Sequence, residues 1–225
     1  HIGLFLAIGA AAIAQTPPSA IEYAAIHIKN GVPLLTLNNN PYLPLMFFPN
    51  TDIPGEYSRE FLRSQVALAR DAGVHLYSFP FRIERSEDGK DVLYTRAERD
   101  VAAILEVDPH AMFLLRMFPG PWPFWAEWKS IPESELSLFA DGTHNFISIA
   151  SSSFWNLTNQ QISNDIRHVE ESPYGNRVLG YHLGGPEHEM FADKYREKGP
   201  DYSPVNQARF QVWLRERYKT DEALQ

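Results

Sequence analysis

The chain has 225 residues, 44% of them hydrophobic, with 13 Gly and 17 Pro, which suffices for a sizeable core in one domain of the larger kind. Its 28 acidic and 20 basic side chains give a net charge of -8, so a polyanion such as nucleic acid is repelled unless a basic patch gathers locally, and the sequence holds none. The absence of cysteine excludes disulfides, thiolate catalysis and cysteine-based zinc sites.

Residues Ile2 to Ala14, IGLFLAIGAAAIA, form an uncharged apolar run too short for a comfortable membrane span, with an Ala-x-Ala pattern at Ala12, Ile13 and Ala14. The run predicts a signal-peptide h-region over residues 1–14 and hence a secreted or periplasmic protein; a buried or disordered apolar terminus is the alternative. No other run is long enough to cross a bilayer, so no span is expected in the mature chain.

Residues 15–42 read as a linker and a small β-hairpin, since AIHIKNGVPLLTLNNNPYLPL alternates apolar and polar residues across Lys29-Asn30-Gly31 and again across Asn38 to Pro41. A buried strand is predicted at Leu43 to Phe48. A helix follows with Phe61, Leu62, Val66 and Ala69 on one face, Ser58 as its N-cap and Gly73 as its stop. VHLYSFPF reads as the second strand. The next helix carries Thr95 and Glu98 at capping-box spacing and Ala97, Val101, Ile104 and Leu105 on one stripe.

HAMFLLRMFPG then supplies a third apolar strand, and a long Trp- and Pro-rich connection runs roughly from Pro119 to Trp155. A helix with Ile162, Ile166 and Val169 at helical spacing leads to the fourth strand, Val178 to Leu183. The last helix starts after Ser203-Pro204 and holds Phe210, Trp213 and Leu214.

Apolar strands that do not alternate, each followed by a helix, signal parallel strands covered on both faces. No glycine-rich phosphate loop follows the first strand, which favours a barrel over a nucleotide-binding sheet. The predicted fold class is therefore α/β, a (β/α)8 TIM barrel truncated to about its first four βα units over residues 43–225, with the hairpin in front.

Barrel enzymes place their chemistry where the strands end. Glu187 and Glu189 lie just past the fourth strand, behind Gly184-Gly185-Pro186. A carboxyl group held there, partly desolvated by aromatic neighbours, has its pKa raised and can act as a general acid near neutral pH. The bland reading is a pair of solvated loop carboxylates.

Arg116, on the third strand, suits a sugar hydroxyl or an ionised carboxylate, or else a structural ion pair. Trp122 and Trp125, with Phe124 and Trp128, offer flat faces for sugar rings or anchors for a long loop. His182 is expected to be a hydrogen-bonded residue inside the barrel mouth. A metal site is not expected, because His182, Glu187, His188 and Glu189 lack a ligand spacing and no His-Glu-x-x-His helix is present.

RVLGYHLGGPEHEMF (residues 177–191), preceded by SIASSSFWNLTNQQISNDIRHVEESPYGN and followed by DYSPVNQARFQVWLRERYKTDEAL, resembles the β-galactosidase-like (glycoside hydrolase family 42-related) members of clan A. HIKNGVPLLTLNNNPYLPL likewise resembles the short N-terminal strands of that group. The resemblance implies a retaining glycosidase, with its acid/base on strand four and its nucleophile on strand seven, beyond these residues.

By that resemblance Glu187 or Glu189 is the acid/base, with the balance slightly towards Glu189. The clan usually shows Asn-Glu here, whereas Pro186 precedes Glu187. The implied partner is a carbohydrate substrate, with no cofactor; a homo-oligomer is left open. A catalytically degenerate carbohydrate-binding barrel is the alternative to an enzyme.

Overall fold

The structure, a computed structural model, describes residues 17–51, 58–88, 91–117, 131–183 and 199–224. Strands β1 (Ala24–Lys29), β2 (Val32–Leu37) and β3 (Asn40–Tyr42) form an antiparallel sheet in that order. Both turns use consecutive residues of positive φ: Asn30 (54°) with Gly31 (79°), and Asn38 (49°) with Asn39 (65°). Two such residues twist the backbone in the sense of the flanking strands, so both predicted turns form.

The chain continues through β4 (Met46–Phe47), α1 (Ser58–Asp71), β5 (Leu76–Pro80), a two-stranded ladder of β6 (Glu84–Arg85) and β7 (Val92–Leu93), α2 (Thr95–Val107) and β8 (Met112–Met117). A second ladder, β9 (Leu136–Leu138) with β10 (His144–Ile147), precedes α3 (Ser152–Glu171) and β11 (Val178–Leu183). Helices α4 (Pro204–Tyr218) and α5 (Asp221–Leu224) follow. Strands β4, β5, β8 and β11 pair in parallel in sequence order. The molecule is thus a mixed α/β fold built on a four-stranded parallel sheet.

The two faces of this sheet bury different partners. Tyr77, Phe79, Phe113, Leu115 and Met117 face Leu62, Val66 and Ala69 of α1, Ala97, Val101 and Ile104 of α2, and Val169 of α3 in one apolar cluster. The other face starts with Leu76 and Met112, which pack with Leu37 and Tyr42 of the N-terminal sheet. That small sheet therefore covers the amino ends of the strands, and their carboxyl ends point away from it.

Helix α1 stops at Gly73 as predicted, where φ is +77°. Gly73 N–H donates to Arg70 O and Val74 N–H to Ala69 O, the paired bonds of a Schellman end. Several expectations fail. The strand predicted over Leu43–Phe48 shrinks to β4, and Leu43, Leu45 and Phe48 are exposed, because β4 has a strand on one side only among the described residues. Phe61 is exposed while Leu62, one position on, takes the buried stripe.

Thr95 and Glu98 form no capping box. Tyr94, already helical at φ -96° and ψ -2°, stands at the N-cap, which moves Thr95 inside the helix, and the Glu98 carboxylate pairs instead with His168 Nε2 at 2.8 Å. On α3 Val169 is buried and Ile166 packs half-buried against the same apolar cluster, as the spacing predicts, while Ile162 is half-buried and the other fully buried positions are Phe154, Thr158, Gln161 and Asp165. Polar partners explain this: the Tyr94 hydroxyl donates to Asp165 Oδ1 at 2.8 Å, Gln161 Nε2 donates to the same atom at 2.7 Å, and Arg85 Nη2 donates to Gln161 Oε1 at 3.0 Å. Helix α4 starts at Pro204, one residue before the predicted start, with Ser203 as its cap accepting from Asn206 N, and Phe210 and Trp213 stack on each other at the surface.

Candidate functional site

Parallel strands present their carboxyl ends along one rim, and the connections that leave it start side by side. Here the rim consists of Phe48 after β4, Phe81 and Arg82 after β5, Arg116 and Met117 ending β8, and His182 and Leu183 ending β11. Register partners place Pro80, Arg116 and His182 in one row across three strands. Neighbouring strands lie about 4.8 Å apart, so the bases of the Arg116 and His182 side chains are adjacent.

Alternation fixes which way they point. Leu115, Met117 and Tyr181 pack on the helix side, so Arg116 and His182 project from the opposite face, one row beyond Leu114 and Gly180. Phe81 N–H donates to Arg116 O at 2.9 Å and fastens the end of β5 to β8. The Arg116 guanidinium carbon stands 5.9 Å from the centre of the Phe48 ring, within cation–π range. Arg116 is half-buried and His182 is exposed.

On the helix side, burial, ahead of the charge on Glu170, pushes the Tyr181 phenol up to about 12, so this ring stays protonated beneath the rim. Chemically, the rim offers a guanidinium fork, an imidazole and an aromatic face within one short arc. Such a set holds a hydroxylated or carboxylate-bearing ligand through directed donors and one flat apolar contact.

Of the predicted site residues, Arg116 and His182 are brought together on the sheet. Glu187, Glu189, Trp122 and Trp125 lie outside the described residues, as do residues 1–14. Phe48, the last residue of the strand expected over Leu43–Phe48, follows β4 directly, and its place at a strand end is a signal the sequence carries. Among the described residues no group of three or more His, Asp or Glu side chains is placed to hold a metal ion, and no helix is long and apolar enough to cross a membrane.

No family model matches the chain, and no curated protein matches it. Among solved structures, the fold is similar to the crystal structure of β-galactosidase from the psychrophilic Marinomonas ef1, with a TM-score of 0.54 and 15% sequence identity. The likeness covers 80% of this chain and 26% of that one, so the chain spans about a quarter of the length of that β-galactosidase. At this identity the likeness is one of fold.

Proposed function

We propose that residues 43–225 are the N-terminal half of the (β/α)8 barrel of a retaining glycoside hydrolase, β-galactosidase-like, that cleaves β-linked glycosides with two carboxyl groups. The observation that carries this reading is the row of Arg116 and His182 at the ends of β8 and β11, from which the segment bearing Glu187 and Glu189 departs. Strands in sequence order, with α1, α2 and α3 on one face, support a sheet that closes on itself over a doubly wound sheet, whose order reverses. The fold likeness to a β-galactosidase points the same way.

In this reading Glu189 or Glu187 protonates the departing glycosidic oxygen, and a nucleophile from a strand outside these residues attacks the sugar. Glu187 is four positions after Leu183, so the Cα of Glu187 lies within about 14 Å of that of Leu183 by chain length alone. Arg116 and His182 hold sugar hydroxyls, and Trp122 and Trp125 stack on the C–H faces of the rings. The mechanism requires no metal or cofactor. Residues 1–14 export the protein, and residues 15–42 supply the small antiparallel sheet in front of the barrel.

The test is steady-state hydrolysis of aryl β-glycosides by the full-length protein and by its Glu187→Gln and Glu189→Gln variants. A loss of at least about a hundredfold is expected for one of the two, and less than that for both overturns the assignment. A second reading, a barrel that binds carbohydrate without hydrolysing it, is favoured by Pro186 at the position where the clan shows Asn. Calorimetric binding of oligosaccharide with no release of sugar selects that reading.

A further inference from the structure

One polar group on the face of the sheet that carries Arg116 and His182 makes no bond within the fold. Ser78, in the middle of β5, is 1% exposed, and its hydroxyl oxygen is buried with no hydrogen-bond partner. Burying a hydroxyl unpaired costs free energy that an alanine at the same place would not, so such a group asks for a physical reason.

Alternation gives its direction. Tyr77 and Phe79, on either side of Ser78, lie in the helix-side cluster, so Ser78 points to the opposite face, the one from which Arg116 and His182 project. Register gives its depth. Ser78, Leu114 and Gly180 form one row across β5, β8 and β11, and Pro80, Arg116 and His182 form the next row of that face towards the carboxyl ends. In the row towards the amino ends, Leu76 and Met112 are partners, buried with Leu37 and Tyr42. Phe47 pairs with Tyr77 and packs on the helix side, so Phe48 shares the face of Ser78 and stands level with it.

The row of Ser78 is built of small residues on both sides of Leu114. A Cβ at Gly180 would touch Leu114 Cδ1 at 3.7 Å, an ordinary contact, so crowding does not demand glycine there. Bulky branched side chains are what fills the inner face of a packed parallel sheet, and serine and glycine leave that volume to another group.

We propose that Ser78 is a specificity-determining residue of the candidate site, whose hydroxyl bonds one hydroxyl group of a sugar at the inner end of the site, one row beneath Arg116 and His182. A guanidinium only donates, whereas a serine hydroxyl both donates and accepts. The group suited to both is therefore itself donor and acceptor, which a sugar hydroxyl is and a carboxylate is not. Ser78 is closed to water in the free protein, so the sugar reaches it through a side-chain shift on binding, with the backbone of the sheet unmoved. The choice of a sugar rests on the glycosidase reading above; the placing of Ser78 does not.

The test is Ser78→Ala in the full-length protein, with an aryl β-galactoside and each of its monodeoxy analogues as substrates. For the parent glycoside kcat/KM should fall about tenfold, the size of one hydrogen bond to a buried group. For one analogue, the one that lacks the hydroxyl held by Ser78, the same substitution should change kcat/KM by less than about twofold, since the bond is already absent. A structural role would not sort the analogues in this way. The melting temperature should equal or exceed that of the wild type, because alanine removes an oxygen that had no partner.

No loss with the parent glycoside, an equal loss with every analogue, or a lower melting temperature overturns the proposal. A variant that fails to fold also overturns it, because the hydroxyl then serves the fold. If the wild type shows no turnover, the glycosidase reading falls, and calorimetric affinities for the sulfur-linked glycosides of the same set judge Ser78 by the same pattern. A wild-type protein that neither hydrolyses nor binds them overturns both.

Discussion

The guanidinium of Arg116 lies over the ring of Phe48, with its central carbon 5.9 Å from the ring centre, although β5 separates their strands in the sheet. The contact holds a planar cation against the rim beside His182. Lysine keeps the charge but loses the planar fork and the stacking surface. If the proposed glycosidase function holds, Arg116→Lys in the full-length protein is expected to raise KM for an aryl β-glycoside about tenfold, the size of one lost charge-assisted hydrogen bond. Phe48 is exposed, so Phe48→Ala should shift the melting temperature little while weakening substrate binding in the same direction. Unchanged KM in both variants removes this pair from the site.

The opposite end of the sheet is held by a different kind of group. Asp108, fully buried, accepts the Tyr77 hydroxyl at 2.9 Å and contacts His75 Nδ1 at 2.8 Å through Oδ2, while its Oδ1 accepts His110 N at 3.0 Å. Burial first, and then the Asp108 charge, raises the Tyr77 phenol pKa, so Tyr77 is a permanent donor. Asp108→Ala strands several buried donors at once and should cost about 3–5 kcal/mol in urea unfolding. Tyr77→Phe removes one donor and keeps the ring, so its cost should be about 1 kcal/mol. Equal losses in the two variants show that Asp108 is not the hub.

These two ends differ in how far the sequence disclosed them. Strands β5, β8 and β11 were legible because their apolar runs lack alternation, and Val178 to Leu183 matches β11 at both ends. The turns at Asn30-Gly31 and Asn38-Asn39 were legible because few residues tolerate positive φ. Arg116 and His182 followed from a rule about strand ends. The polar stripe of α3 was not legible: Gln161 and Asp165 are buried by partners on β6 and at Tyr94, and no local periodicity announces a partner far away in the chain. Glu98 misled for the same reason, since capping-box spacing says nothing of a histidine on another helix. The bonds that Asp201 accepts from Leu138 N and the Ser148 hydroxyl join segments more than 50 residues apart in the chain, so only the fold brings them into view.

Asp165 on α3, and Glu135, which accepts hydrogen bonds from Ser151 and Ser153 at the start of that helix, should act in opposite directions as they titrate. Burial, ahead of the opposing hydrogen bonds from Tyr94 and Gln161, raises the Asp165 pKa. A raised folded value gives stability that is complete below the unfolded value of about 3.9 and is lost as pH rises through the folded value. At the other end, the Ser151 hydroxyl bond, against desolvation, lowers the Glu135 pKa, with Ser153 contributing through its N–H and hydroxyl. That contribution is present above the unfolded value of about 4.3 and disappears as pH falls through the lowered value.

Asp165→Asn should therefore gain on the wild type in melting temperature as pH rises from about 4, whereas Glu135→Gln should fall behind it as pH rises towards about 4.3 and keep a constant gap above that. Parallel melting curves from about pH 3 to about pH 7 make the comparison. Slopes of the same sign in the two variants contradict the assignment of causes.

Gly175 controls how the chain enters β11. A Cβ built there would stand 2.6 Å from Glu170 O and 2.8 Å from Val169 O, both backbone atoms at the end of α3, so no side chain can swing aside to admit it. Gly175→Ala must move either the helix end or the short 3-10 turn of Gly175–Arg177 that leads into β11. An overpacked contact costs about 1–3 kcal/mol, and relief through the turn also shifts the strand that carries His182. Gly142 is the control: it has open space around its Cβ position but a φ of +80°, so Gly142→Ala pays only the left-handed strain of about 1–2 kcal/mol. Both variants should therefore lose stability in urea unfolding, but only Gly175→Ala should alter the chemical shift of the His182 ring. An unmoved His182 signal in Gly175→Ala means that the helix end yields instead, and that the rim is insulated from the α3 junction.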